Sequence, residues 1–222
     1  MLDKQIQLKP LNGRTDSAVV LLHGYGSDGF DMLSLAEQLQ AQMPYTVFYT
    51  PNAPEKCETG YQWFDINLSA DESVLEQFSY IEILMKKSLK KVPMVQKFIQ
   101  EIASENNLSA ENVCIGGFSQ GGLVALMTGL LTPSINSVVD CSGLPLAINN
   151  ALPIKNIKNT PPVLLTHGTA DDVVPFVGME MTENTLSDLN IPIQNHIVEG
   201  MGHGIDTSTV LAIQSFIKRH LG

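Results

Sequence analysis

Positive charge is scarce in this chain. Its 222 residues carry 13 lysines and arginines against 23 aspartates and glutamates, a formal net charge of −10. Sequence-independent nucleic-acid binding needs a basic face that displaces counterions, so that class is excluded. An acidic surface also has no long-range attraction to anionic membranes. Cysteine is scarcer still. Cys57, Cys114 and Cys141 are odd in number and include no Cys-x-x-Cys spacing, which points to a reducing compartment or to a chain without a disulfide framework. Cys114 and Cys141 fall in apolar runs and read as small core residues. Long hydrophobic runs are missing: Ala18 to Leu22 is far short of the ~20 residues a bilayer span needs. Met1 to Pro10 holds no apolar segment of the signal-peptide kind, so a cytoplasmic location without stable membrane insertion is expected. No His-x-His or His-Glu-x-x-His spacing suggests a metal.

What is present is ample apolar material. A hydrophobic share of 44% with 16% charged residues describes a globular chain, long enough to bury a core as one domain over residues 1–222. Short β-branched runs alternate with segments of helical period. Ser17 to His23, Tyr45 to Tyr49, Val113 onward, Ile135 to Cys141, Val163 to His167 and Ile193 to Val198 read as strands, with Ile6 to Pro10 as an edge strand. Helical patterns follow Asp28 up to Pro44, cover Ser73 to Asn106 with a break before Pro93, continue after Ser119, and recur at Gly178 to Leu189 and Thr207 to His220. The stretches between Pro51 and Asp71 and between Ser142 and Pro162 show no period; a loop of that length in a compact domain is usually functional. Alternation of this kind predicts an α/β fold with a mostly parallel sheet and helices on both faces.

The centre of the pattern is Val113-Cys-Ile-Gly-Gly-Phe-Ser-Gln-Gly-Gly-Leu-Val-Ala-Leu126. An apolar run stops at glycines, a serine follows, then more glycines open a helical segment. That is a strand turning sharply into a helix with Ser119 at the bend, and Gly117 and Gly121 let the two backbones approach beneath it. The bend exposes the serine oxygen and aims the N–H of Gln120 at the same space, supplying a nucleophile and a donor for an oxyanion.

Gly24-Tyr-Gly-Ser-Asp-Gly29 formally matches a dinucleotide fingerprint between the first buried strand and the first helix. The acid that should hold the ribose at the end of the next strand is absent, because that strand ends Tyr49-Thr-Pro-Asn52. With His23 in front, the glycines instead suit a loop folded over the serine bend that offers the N–H of Tyr25 as a second oxyanion donor. Nucleotide binding is accordingly set behind the oxyanion-loop reading, and a nucleotide-induced thermal shift would revive it.

A serine needs a base, and the base needs an acceptor to hold its tautomer. In the α/β-hydrolase arrangement these follow in the order Ser, then Asp or Glu, then His. Downstream lie Asp171 and Asp172 after the Val163 strand, and His203 within Glu199-Gly-Met-Gly-His-Gly204 after the Ile193 strand. Both are strand ends on the side where a parallel sheet places its ligands. The blander alternatives are solvated loop acids and a surface-turn histidine, and adjacency leaves the choice between the two aspartates open. His23 and His167, at strand ends beside glycines, suit loop-organising hydrogen bonds. A non-catalytic binding module of the same fold would be expected to have lost one of the three positions, all of which are filled here.

Gly116-Gly-Phe-Ser-Gln-Gly-Gly122, His23-Gly-Tyr-Gly26, Gln62-Trp-Phe-Asp65, His167-Gly-x-x-Asp171 and Gly202-His203 together resemble the phospholipase/carboxylesterase family of α/β-hydrolases. That family contains acyl-protein thioesterases and small bacterial carboxylesterases. The resemblance runs from about Ser17 to the C-terminus. It implies an α/β-hydrolase fold without a large lid domain, the acid role at Asp171, and a cofactor-free Ser119–His203–Asp171 triad acting through an acyl-enzyme. It further implies that Trp63 lies near the mouth of the active site, that Leu144 within Ser142 to Leu146 walls the acyl pocket, and that Val174 belongs to the same substrate-binding surface. Where such thioesterases can carry an aromatic residue, this chain has Gly143. The implied substrates are small esters or thioesters of short to medium acyl chain, with acylated protein or lysophospholipid as alternatives, and the implied assembly is a homodimer.

Overall fold

The computed structural model describes residues 2–67, 77–147 and 157–221. Seven strands form the central sheet: β1 (Gln7–Leu8), β2 (Ser17–Leu22), β3 (Thr46–Tyr49), β6 (Val113–Phe118), β7 (Ser137–Cys141), β8 (Val163–Gly168) and β9 (Ile193–Val198). Their order is β1-β3-β2-β6-β7-β8-β9, and every neighbouring pair is parallel except β1 with β3. The mostly parallel α/β architecture is therefore as the alternation predicts. A small antiparallel hairpin, β4 (Glu55–Lys56) and β5 (Tyr61–Gln62), stands apart from this sheet. It lies in the aperiodic stretch after Pro51, where two-residue strands leave no period to read.

Successive strand residues point to opposite faces, so the sheet separates two cores. Val20, Ile115, Val138 and Leu165 face one of them. It is closed by α2 (Gln77–Leu89), α3 (Val92–Glu105), α4 (Gln120–Leu131) and α5 (Val177–Asp188). Val19, Leu21, Cys114 and Leu164 face the other, closed by α1 (Gly29–Gln40) and α6 (Thr207–Leu221). Cys114 and Cys141 are buried, and burial pushes both thiols up to about 12, which makes them inert core residues.

The helical pattern before Asn106 is two helices. They part at Lys90–Lys91, and Pro93 sits in the first turn of α3, where its missing N–H costs nothing. The expected start of the pattern at Ser73 lies outside the described residues, as does the middle of the Ser142–Pro162 stretch. Asp28 caps α1, accepting from the N–H groups of Phe30 at 2.8 Å and Asp31 at 3.3 Å. No helix among the described residues is long and apolar enough to cross a membrane.

Candidate active site

The bend between β6 and α4 carries the nucleophile candidate. Ser119 stands at φ 54°, ψ −118°, outside the regions L-residues prefer. Its N–H donates to the Cys141 carbonyl at 2.9 Å, and its own carbonyl accepts from Gly122 at 3.0 Å, so neighbours on both sides hold the strained turn. The flanking glycines are steric necessities. A Cβ on Gly117 would strike the Gly121 backbone, and one on Gly121 would strike the carbonyls of Leu22 and His23.

The loop after β2 closes over this bend. Gly24 packs against the Phe118 ring and the Ser119 side chain. His23 is wholly buried, accepts from the Ala53 N–H at its Nε2 (2.9 Å), and therefore donates from Nδ1 to the Gly24 carbonyl (2.7 Å). Burial holds its pKa below the ordinary histidine value against the raising effect of that carbonyl, so the ring works as a neutral strut. The backbone N–H groups of Tyr25 and Gln120 have no partner among the described residues, and both residues line the cleft that contains Ser119.

Trp63 is a correction. It is 0% exposed and does not line the cleft, so it is no part of a mouth. Its indole N–H donates to the His23 carbonyl at 2.9 Å, and its backbone N–H donates to Oε1 of Gln120 at 2.7 Å. The Gln120 amide also donates to the Phe64 carbonyl at 2.7 Å. A large ring gains most from complete burial when its N–H finds an acceptor, and here that acceptor lies at the start of the loop after β2.

The acid and the imidazole meet as the spacing suggests. Asp171, in the turn after β8, accepts from Nδ1 of His203 at 2.7 Å. Its other oxygen takes the N–H groups of Val173 at 3.0 Å and Val174 at 2.8 Å. Burial pushes the Asp171 carboxyl up, but the hydrogen bond from His203, the two backbone N–H groups and the imidazole charge outweigh it and hold the pKa below the ordinary carboxylate value. Asp172 is exposed and has no such partners. His167 does more than organise a loop. Its Nε2 lies 2.8 Å from the Val174 carbonyl and 3.3 Å from Asp171 Oδ2, two acceptors that require a proton on that nitrogen. The His167-Gly-x-x-Asp171 spacing held that signal.

His203 packs on the Phe118 ring, with centroids 4.6 Å apart, and lines the same cleft as Ser119. The Ser119 hydroxyl makes no hydrogen bond to the imidazole in this conformation; in substrate-free enzymes that contact commonly tightens on binding. The cleft encloses about 910 Å³, and Leu144 and Val174 both line it. Phe118, Ile66 and Leu84 contribute apolar wall that the motifs did not indicate.

A model of the phospholipase/carboxylesterase family matches residues 7–221. The chain belongs to this family. It is 32% identical over 221 residues to acyl-protein thioesterase 1 of Saccharomyces cerevisiae, covering 91% of this chain and 92% of that one. A probable carboxylesterase of Oryza sativa subsp. japonica is 27% identical over 228 residues, covering 94% and 79%. The crystal structure of esterase PE8 superposes with a TM-score of 0.86 at 34% identity, covering 99% of each chain. The fold is that of the α/β-hydrolases, and the family member described here is an enzyme of the esterase/thioesterase type.

Proposed function

We propose that this enzyme cleaves carboxylic esters of short to medium acyl chain through an acyl-enzyme, with Ser119 as nucleophile, His203 as base and Asp171 as its orienter. The observation that carries the reading is the 2.7 Å contact of Asp171 with Nδ1 of His203, in the cleft that also holds Ser119 at its strained bend. Because Nδ1 is committed to the carboxylate, Nε2 is the nitrogen free to take the serine proton. Ser119 attacks the carbonyl, and the free N–H groups of Tyr25 and Gln120 receive the oxyanion. His203 then protonates the leaving alcohol or thiol, and water, activated by the same imidazole, releases the acid. Ile66, Leu84, Leu144 and Val174 supply apolar surface for the acyl chain. Thioester cleavage on acylated protein is the second reading, supported by the relation to the yeast acyl-protein thioesterase. The three unpaired cysteines favour a reducing, cytoplasmic setting.

The test is labelling by a fluorophosphonate probe, followed by a chain-length series of esters and thioesters. Wild-type enzyme should label at Ser119, and Ser119→Ala should lose both the label and several orders of magnitude in kcat while keeping its circular dichroism spectrum. Retention of most turnover in the folded Ser119→Ala protein would remove Ser119 from its role.

A further inference from the structure

The cleft extends well beyond the reacting atoms, and the position of His203 divides it. The leaving group must meet Nε2 of His203, since that atom delivers its proton. From the imidazole the chain runs directly through Gly204, Ile205 and Asp206 into the first turn of α6, and all of these line the cleft. Facing them across the cleft is α1. Together the two helices form an arm floored by Met32, Leu35, Ile205 and Val210. The acyl chain has its own apolar surface at Ile66, Leu84 and Leu144, contributed by segments from the other face of the sheet.

Apart from His203 and the phenols of Tyr25 and Tyr80, the ionisable side chains among the described lining residues are Asp31 and Asp206, and neither lysine nor arginine is among those residues. Asp31 sits in the first turn of α1 and accepts from the Ser27 hydroxyl at 2.5 Å. Asp206 accepts from the Thr209 N–H at 2.7 Å and from the Ser208 hydroxyl at 2.8 Å, capping α6. The hydrogen bond from the Thr209 N–H, with those of the Thr209 and Ser208 side chains, holds Asp206 below the ordinary carboxylate value, so it stays charged through the working range. Apolar floor and anionic walls together describe a site for a group that is greasy and positively charged. The chain's net charge of −10 adds a field of the same sign.

We propose that the arm between α1 and α6 receives the leaving group, and that Asp31 and Asp206 make it selective for leaving alcohols or thiols that carry a cation, such as an alkylammonium or a basic peptide. This rests on the ester-hydrolase reading above and adds the side of the substrate that reading left open.

The experiment compares butyrylcholine with 3,3-dimethylbutyl butyrate, the same shape without the charge, with methyl butyrate as a reference lacking the bulky group. Each kcat/KM is divided by that ester's hydroxide-catalysed rate to remove intrinsic reactivity. The corrected choline-to-dimethylbutyl ratio should exceed one at low salt and fall toward one at about 0.5 M salt. Asp31→Asn and Asp206→Asn should each lower it about two- to fivefold, the range for solvent-accessible charge pairs. Ser34→Trp, an exposed position on the α1 wall, should cut the dimethylbutyl rate relative to the methyl rate by about tenfold. A ratio at or below one, or a ratio indifferent to both aspartates, overturns the proposal while turnover of methyl butyrate leaves the hydrolase reading standing. A Ser34→Trp protein with unchanged relative rates overturns the placement of the leaving group in this arm. Absence of turnover on all three esters overturns the hydrolase reading and this inference with it.

Discussion

Asp140→Asn should make the protein's stability less dependent on pH, and by an amount the structure sets. Asp140 lies in β7 opposite Gly117, with 4% of its surface exposed. Its Oδ1 has no hydrogen-bond partner and fills the space where a Cβ on Gly122 or Gly143 would otherwise sit. Burial pushes this carboxyl from 3.8 to about 7. Because the folded state holds the proton more tightly than the unfolded chain, ionisation opposes folding. Below the unfolded value there is no penalty. As pH rises toward about 7 the penalty grows by about 1.4 kcal/mol per unit, and above that it is constant. The shift of roughly three units amounts to about 4 kcal/mol, a large part of a typical domain's 5–15 kcal/mol, so roughly. The neutral amide of asparagine keeps the shape and cannot ionise. Urea unfolding at about pH 5 and about pH 8.5, followed by circular dichroism and by fluorescence of the single buried Trp63, gives the comparison. The variant's stability relative to wild type should improve by about 3 kcal/mol between the two pH values. Parallel pH curves for the two proteins would refute the argument, because they would mean the carboxylate is compensated at no cost.

His167→Leu removes the proton that Nε2 shares between the Val174 carbonyl and Asp171. With one donor fewer, the Asp171 charge acts more fully on His203, so the acid limb of the kcat/KM profile should move to higher pH, with kcat down about tenfold. A superimposable pH profile would show that His167 has no hold on the acid. Gly121→Ala puts a Cβ into the carbonyls of Leu22 and His23 and should cost about 1–3 kcal/mol by overpacking; an unchanged melting temperature would mean that α4 and β2 are not as closely apposed as described.

The parts of the site written in backbone geometry were legible beforehand. Gly117 and Gly121 each stand where a side chain would collide with backbone, Gly24 stands where one would be tightly crowded by Phe118 and Ser119, and those requirements are visible as glycine in the sequence. The strand ends before Asp171 and His203 follow from periodicity, and the 2.7 Å contact between them is the folded consequence. Trp63 was misplaced because an aromatic residue in an aperiodic loop can face either way, and only the acceptors at His23 and Gln120 decide that it turns inward. Asp140 was invisible for a different reason. Val138-Val-Asp-Cys141 reads as a buried strand, and nothing local indicates that one of its side chains is a buried acid whose Oδ1 finds no partner. The β4–β5 hairpin is too short to leave a pattern.

Trp63 also couples the two proposed oxyanion donors. Its indole N–H holds the segment leading to Tyr25, and its backbone N–H holds the side chain of Gln120, the residue that carries the other donor. The gap between the two donors is thus set from behind, by a buried residue that does not line the cleft. Changes at cleft walls such as Ser34, Ile66 or Leu144 would therefore alter what the cleft accepts while leaving the spacing of the two proposed donors in place.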